Sequence, residues 1–515
     1  MKHRTAGRSI GVIAMAGLLL LGGIAAPASA APKANPTKLA EKLVKQVTAN
    51  GANRHLIAFQ RIADRNGGNR AVETAQAGTS SAGYNASVDY VVGRLTAWGF
   101  DVQTPTFDYD VDKVDASSLT VGDDTYNIDK MNESIDTPAA GTTGPLAVVP
   151  EDATTGCETA DFASGDYTGT VTLIRRGGCT FEIKSNNAAA AGAVAVVISN
   201  NVPGPLVNVT ITNEGPVPVG GISQQDGTTL ATSSGEPTTV DMRSHVETIT
   251  LRNVIAQTRT GRPDNVVMLG AHLDSVQAGP GINDNGSGSA ALLEIANKLG
   301  PNPKVNNAVR FGWWGAEELG LIGSTEYVRS LTFEQQLNIA LYMNFDMIAS
   351  PNVGYFVYDG DDSDGTGAGP GPYGSAQIEQ TFTDFFTDEL GIPTQGTDFS
   401  GRSDYGEFIA NGIPAGGLFT GAEGLKTAEQ VELWGGTAGV AYDPCYHAAC
   451  DNLGNVDRDA LDANLDAAAW ATGFYGYSTE DVNGVPPRKA RALLRSDANR
   501  LAATALTEAP VGAAA

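Results

Sequence analysis

Four stretches of this chain carry side chains suited to binding cations, and each comes at or just after a strand-like or tightly constrained segment. Gly270-Ala271-His272-Leu273-Asp274 follows the apolar run Asn265-Val266-Val267-Met268-Leu269. His272 offers an imidazole to a metal, and Asp274, two residues on, can hold the other ring nitrogen and fix the tautomer. The glycines of Gly281-Ile282-Asn283-Asp284-Asn285-Gly286-Ser287-Gly288 let the chain turn sharply and bring Asp284 back over that strand end. A carboxylate placed there can bridge two cations. In Trp313-Trp314-Gly315-Ala316-Glu317-Glu318 the neighbouring glutamates point in different directions, so one can bind metal while the other takes a proton from water. Spacing does not say which does which. Phe345-Asp346 closes the run Ile339-Ala340-Leu341-Tyr342-Met343-Asn344-Phe345, and Cys445-Tyr446-His447-Ala448-Ala449-Cys450 places His447 inside a small disulfide loop.

Each signal alone is weak. A single His after a strand is more often structural than a ligand. A Glu-Glu pair is ordinarily a solvated helix start, and Asp-Asn-Gly is ordinarily a turn. Their joint placement is what these ordinary readings leave unexplained. Histidine scarcity adds to it: beyond His3 the chain has His55, His245, His272 and His447, and half of these fall in the motifs.

Sites of this kind need a sheet, because in open α/β folds they form at the carboxyl ends of strands. From about Thr248 to Ser478 the pattern supplies one. A strand over 265–269 precedes a helix at 287–299, a strand over 308–314 precedes a helix at about 317–330, and another strand covers 339–345. The expectation is α/β, with a mixed, mainly parallel central sheet and helices on both faces. Residues 31–111 read as the N-terminal helical part of the same domain. Leu39, Leu43 and Val47 recur every four residues, a second helix through Leu56, Ile57 and Ile62 stops at Asn66-Gly67-Gly68, and a third runs from Val88 to Trp98 before Gly99. Residues 112–243 differ, with short strand-like runs such as Val171-Thr172-Leu173-Ile174 and Ala195-Val196-Val197-Ile198 between Gly, Thr, Asp and Pro turns, and a helix at 181–192. They read as a mostly β insertion. Residues 244–480 hold the main part of the catalytic domain. The tail 481–515, with Pro486-Pro487 and then Arg488, Lys489, Arg491 and Arg495, is expected to be mobile or removed.

The set His272-x-Asp274, Asp284-Asn285-Gly286-Ser287-Gly288, Glu317-Glu318, Asn344-Phe345-Asp346 and Tyr446-His447 resembles that of the co-catalytic di-zinc aminopeptidases, the group of aminopeptidase Y and the secreted bacterial leucine aminopeptidases. The likeness covers roughly 37–110 and 248–478, including Asn66-Gly67-Gly68-Asn69-Arg70 and Phe399-Ser400-Gly401-Arg402-Ser403-Asp404-Tyr405-Gly406. The insertion is similar to a protease-associated domain through Arg175-Arg176-Gly177-Gly178-Cys179-Thr180-Phe181 and the alanine-rich helix after it. The resemblance implies a zinc exopeptidase fold and two zinc ions per chain. Asp284 would bridge them, with His272 and Asp346 completing one site and Glu318 and His447 the other. It makes Glu317 the general base and Tyr446 the donor to the oxyanion, with a cis peptide bond after Asp284. The substrate's free amino terminus would meet Glu317, Asp346 and a backbone carbonyl near Arg402, and a hydrophobic pocket would take a leucine-like first side chain. Calcium is also implied near the C-terminal helix, where Asp462 and Asp466 stand four apart; the same spacing fits two solvated acids.

Two rivals remain open. A carboxypeptidase of the same fold needs a cation for the substrate's terminal carboxylate, and Arg402 is the obvious candidate. A receptor or scaffold that keeps the fold without catalysis would lose ligands or base, whereas this chain has all six residues. A single-zinc cyclase is disfavoured by the intact second site.

The bulk numbers fit an exported enzyme. Lys2, Arg4 and Arg8, an apolar run from Ile10 to about Ala26, and Ala28-Ser29-Ala30 read as a signal peptide over 1–30. Its removal takes the formal charge from −25 to −28, since it carries three cations and no acids. So acidic a chain is a poor partner for nucleic acid or anionic lipid. The expectation is a secreted monomer, off the membrane, acting on peptides with a free amino terminus. Four cysteines in 515 residues should pair as Cys157–Cys179 and Cys445–Cys450, which closes the two shortest loops.

Overall fold

The apolar run 266–269 has no polar face, so as a strand it must be covered on both sides. In the computed structural model, which describes residues 36–74, 80–207, 209–213, 215–483, 490–493 and 495, it is. Among the described residues, Arg262–His272 is central to an eight-stranded sheet. It pairs in parallel with Asn307–Trp314 and with Ile339–Phe345, which in turn pairs in parallel with Ala415–Phe419. Val254–Gln257 and Asp101–Gln103 extend one side antiparallel. On the other side Phe356–Tyr358 runs antiparallel to Ala415–Phe419, with Gln395–Thr397 outermost.

Successive side chains of a strand point to opposite faces, and the two cores divide accordingly. Val267 and Leu269 join Leu56, Phe59, Val88, Leu292 and Leu461, which come from helices Ala49–Arg65, Ala82–Ala97, Gly286–Leu299 and Arg458–Tyr477. Val266 and Met268 join Tyr327, Val328 and Phe408, from Ile322–Ser330 and Gly406–Ala410. The expected mixed α/β sheet with helices on both faces is therefore what forms, and the N-terminal helices pack on it. Leu269 is fully buried, and cutting it to Ala would cost about 2–5 kcal/mol.

One expectation changes. The helix expected from about 317 begins only at Ile322. Ala316 (φ 56°), Gly320 (φ 107°) and Leu321 (φ 61°) take left-handed conformations that a helix cannot contain. Glu317 and Glu318 therefore lie on a turn beyond the strand end, not on a helix face.

The insertion builds a second sheet, in which Thr142–Val148, Val171–Arg175, Ala195–Ser199 and Val219–Ile222 run parallel. Its helix Phe181–Ala190 answers the expected 181–192. Gln224–Leu230 was not foreseen: it is short and polar and shows no apolar period, yet Ser223 starts it by accepting the Asp226 N–H at 3.0 Å. Two long strands, Thr106–Val121 and Pro237–Arg252, pair antiparallel from Thr106↔Arg252 to Val121↔Thr238 and join the two sheets as one ribbon. The expected borders at 111/112 and 243/244 fall inside this ribbon.

Both expected disulfides are present, Cys157–Cys179 and Cys445–Cys450. In the described part of the tail, Arg491 donates to Leu337 O at 2.9 Å and Asn265 Oδ1 at 2.6 Å, and Arg495 donates to Gln336 O and Ile339 O. That part is docked on the sheet rather than loose, because its arginines find carbonyls there. The segment 1–30 read as a signal peptide lies outside the described residues. Among the described residues no helix is long and apolar enough to cross a membrane.

Candidate metal centre

Sheet register brings the first half of the site together. His272 is the last residue of its strand, and Gly270 pairs with Asn344 in the parallel neighbour, so Asp346 arrives at the level of His272. His272 pairs on its other side with Trp314, which sets Glu317 three residues beyond the same edge. The turn carrying Asp284 docks on this edge. Asn285 donates to Phe345 O at 2.9 Å and accepts from Gly288 N–H at 2.9 Å, capping the helix that follows. Gly288 makes the approach possible, since a Cβ there would stand 2.1 Å from the Phe345 carbonyl oxygen. The Asp284–Asn285 peptide bond is cis.

The functional atoms then converge. His272 Nε2 lies 3.1 Å from Asp284 Oδ1, 3.3 Å from Asp346 Oδ1 and 3.8 Å from Glu317 Oε2. His447 Nε2 lies 3.3 Å from Asp284 Oδ2 and 3.0 Å from Glu318 Oε2. Asp284 thus turns one oxygen to each histidine, and each histidine faces a further carboxylate. Asp274 lies beneath. Its carboxylate is 3.7 Å from His272 Nδ1 and accepts the backbone N–H of Glu317 at 3.2 Å and of Glu318 at 3.3 Å. Its backbone carbonyl faces His272 Nδ1 at 3.3 Å, and its carboxylate holds the two-glutamate turn.

The second half comes from the disulfide loop, whose His447 takes φ 54° and is partly exposed. Two buried acids tie this loop to the Asp284 turn. Asp451 accepts from Asn283 N–H at 2.8 Å and Asp284 N–H at 3.0 Å, while Asp443 accepts from Cys445 N–H at 2.8 Å and Asn283 Nδ2 at 2.7 Å. Neither Asp443 nor Asp451 stands in a local motif that marks it for this task. Two further residues support the site: Ser403 donates to Asp346 Oδ2 at 2.6 Å, and Arg70 is fully buried and donates to Pro280 O at 2.9 Å and to Leu273 O. Arg70 and Ser403 lie in stretches that carried the family likeness, and that likeness was the signal available for them.

Charge is poorly balanced without a cation. Burial opposes a charged His272, but Asp346, Glu317, Asp274 and Asp284 outweigh it and push the imidazole well above the ordinary histidine range. Burial likewise opposes charge on His447, and Asp284 and Glu318 raise it to about 10. Asp284 is held below the usual carboxylate range by the two imidazoles despite its burial. Burial, then Asp346, Asp404 and Glu318, push Glu317 well up against the pull of His272, and burial with Asp284 lifts Glu318 to about 7. Glu318 Oε1 and Asp346 Oδ1 are buried with no hydrogen-bond partner among the described residues. Such orphaned oxygens beside imidazoles are a donor set that fits a bound divalent cation. Ligand atoms of His272, Asp284 and Glu318 lie within 4.8 Å of one another, as do those of His272, Glu317 and Asp346.

A cavity of about 380 Å³ opens on these carboxylates and is walled by Met347, Tyr358 and Phe419. Tyr446 and Arg402 line it too, with Arg402 donating to Glu423 Oε1 at 2.8 Å and to the Tyr446 hydroxyl at 3.2 Å. Burial and the charges of Asp284 and Glu318 push the Tyr446 phenol up, so it stays a donor. Asp462 and Asp466 lie elsewhere. Asp462 Oδ1 accepts Ala49 N–H at 2.8 Å at a helix start, and burial lifts Asp466 to about 7.

Residues 253–472 match peptidase family M28, and residues 142–230 match the PA domain. The chain is 47% identical over 454 residues to a probable lipoprotein aminopeptidase, LpqL, of Mycobacterium tuberculosis, covering 87% of this chain and 89% of that protein. It is 45% identical over 413 residues to leucine aminopeptidase 2 of Arthroderma otae, covering 79% and 80%. Among solved structures it is similar to BSAP, a zinc aminopeptidase from Bacillus subtilis, with TM-score 0.59 and 25% identity over 83% of this chain and 94% of that one. The chain belongs to peptidase family M28, as a peptidase with a PA domain inserted beside its catalytic sheet.

Proposed function

We propose that the protein is an exported zinc aminopeptidase that removes leucine-like residues from the amino ends of peptides. The observation that carries this reading is Asp284, whose two oxygens face two different histidines, each with a carboxylate of its own. His272, Asp346 and Asp284 would hold one zinc, and Glu318, His447 and Asp284 a second. Zinc bound there supplies Lewis acidity to the scissile carbonyl and lowers the pKa of water.

The rest of the reaction falls to this chain's side chains. Glu317 is placed to carry a proton, since its carboxylate lines the cavity and its Oε2 stands 3.8 Å from His272 Nε2 at the edge of the ligand cluster. Its carboxylate takes the proton of the attacking water and passes it to the leaving amine. Asp274 accepts the Glu317 backbone N–H and so holds the turn that carries this side chain. The Tyr446 hydroxyl, steadied by Arg402, donates to the developing oxyanion. Glu317 and Asp346 meet the substrate's ammonium group, and the cavity beside Met347, Tyr358 and Phe419 takes an apolar first side chain. The relatives named leucine aminopeptidase support that preference. Arg402 is engaged by Glu423, which disfavours the carboxypeptidase reading. The basic-apolar leader over 1–30, the two disulfides and the acidic charge support export.

The test compares leucine p-nitroanilide with its N-acetylated form. The free amine should be hydrolysed and the blocked one left intact, and equal hydrolysis of both would contradict amino-end recognition.

A further inference from the structure

A second, larger cavity of about 660 Å³ lies between the catalytic sheet and the inserted module. Its floor is Asp274, Glu318 and Leu319, its side is the ribbon segment 109–112, and its far rim is Asn132, Glu133 and Thr210 of the module. The rim is a fixed structure: Asn132 N–H donates to Val209 O at 2.9 Å and Ile211 N–H donates to Asn132 O at 3.1 Å. Glu318 lines both cavities, so they lie on either side of the two-glutamate turn. Its side chain is 6% exposed, and its Oε1 has no hydrogen-bond partner among the described residues.

A peptide whose first side chain fills the smaller cavity can lead its remaining residues away across the two-glutamate turn. The larger cavity is the space on that side. Its charge is one-signed. Asp110, Asp112 and Glu133 line it and are exposed, and among the described residues no Lys, Arg or His does. The nearby Lys113 is turned to Glu73 and Glu247, and Arg70 is fully buried on backbone carbonyls.

We propose that this cleft is the subsite for the leaving side of the peptide, and that it favours substrates with Lys or Arg just after the scissile bond over those with Asp or Glu. The proposal rests on the aminopeptidase reading and gives the inserted module a part in selecting substrate.

The experiment uses the full chain loaded with zinc, at low ionic strength. It compares kcat/KM for Leu-Lys-Lys-Ala and Leu-Glu-Glu-Ala, with leucine p-nitroanilide as the substrate lacking a peptide tail. The basic peptide should be favoured by about tenfold, and the double variant Asp112→Asn/Glu133→Gln should reduce that ratio by about threefold. The control variant Asp123→Asn/Asp124→Asn removes two exposed acids that do not line the cleft and should leave the ratio as it was. Equal rates on the two peptides, with leucine p-nitroanilide still hydrolysed, would overturn the cleft assignment and leave the aminopeptidase reading standing. Hydrolysis of none of the three would overturn that reading and the cleft with it. A ratio lowered as much by the control as by the cleft variant would assign the preference to overall charge and overturn the cleft assignment.

Discussion

The two halves of the site are built in opposite ways. His272 ends one strand and Asp346 directly follows its parallel neighbour; both are almost wholly buried and are placed by backbone register. His447 stands on a six-residue disulfide loop, is partly exposed, and is placed by side chains, chiefly Asp443 and Asp451. Asp284 joins them. One half is as rigid as the sheet, while the other is only as firm as a few hydrogen bonds and one disulfide. His272 and Asp346 are shielded from solvent, whereas the His447 side chain is 42% exposed.

The largest expected effect bears on chemistry shared by both halves. Glu317→Gln should lower kcat by about 10²–10⁴-fold while zinc content stays unchanged, as activity assays beside metal analysis would show. Loss of zinc in that variant would make Glu317 a ligand rather than the base.

The histidines sharpen the contrast. His272 and His447 sit among carboxylates, which push them up. His55 is also buried, but burial together with Arg94 and Arg54 lowers it from 6.5 to about 4. Its folded-state pKa is depressed, so its neutral form contributes stability in full above about pH 6.5, and that contribution is lost as pH falls toward 4. Denaturant melts of the wild type and His55→Gln should therefore converge by up to about 3 kcal/mol between pH 7 and pH 4. A constant gap across that range would contradict the shift.

The clamp between the halves comes next. Asp451→Asn keeps the shape but replaces one of the two oxygens that accept the Asn283 and Asp284 N–H groups with an amide NH2, so zinc affinity should fall by about 10–100-fold, read by titration. An unchanged affinity would mean that the turn holds Asp284 alone. The smallest effect is expected from Cys445→Ser/Cys450→Ser. It should lower stability by about 2 kcal/mol in melts and weaken zinc at the His447 side more than at the His272 side.

The same contrast governs what the sequence made legible. Strand ends follow from apolar runs, so His272 and Asp346 could be placed from periodicity together with the rule that sites form at strand ends. The strand over 265–269 needed nothing more. His447 could be placed by its bracketing cysteines and the family likeness. Asp443, Asp451 and Arg70 were not legible because their partners are backbone groups far away in sequence, and no local pattern encodes such contacts. The helix wrongly begun at 317 failed for a related reason: left-handed residues at Ala316 and Leu321 are imposed by the site, and neither residue type announces them. The borders expected at 111/112 and 243/244 rest on a change of composition, whereas Asp108, Asp110, Asp112, Thr248 and Thr250 pair across two strands that run on through both positions.

Zinc titration of the wild type and of His447→Ala, followed by calorimetry, tests the central claim most directly. The account expects two ions per chain in the wild type and one in the variant, with the retained ion still bound at the His272 side. A single ion in the wild type, or two ions still bound after His447 is removed, would contradict a site shared through Asp284.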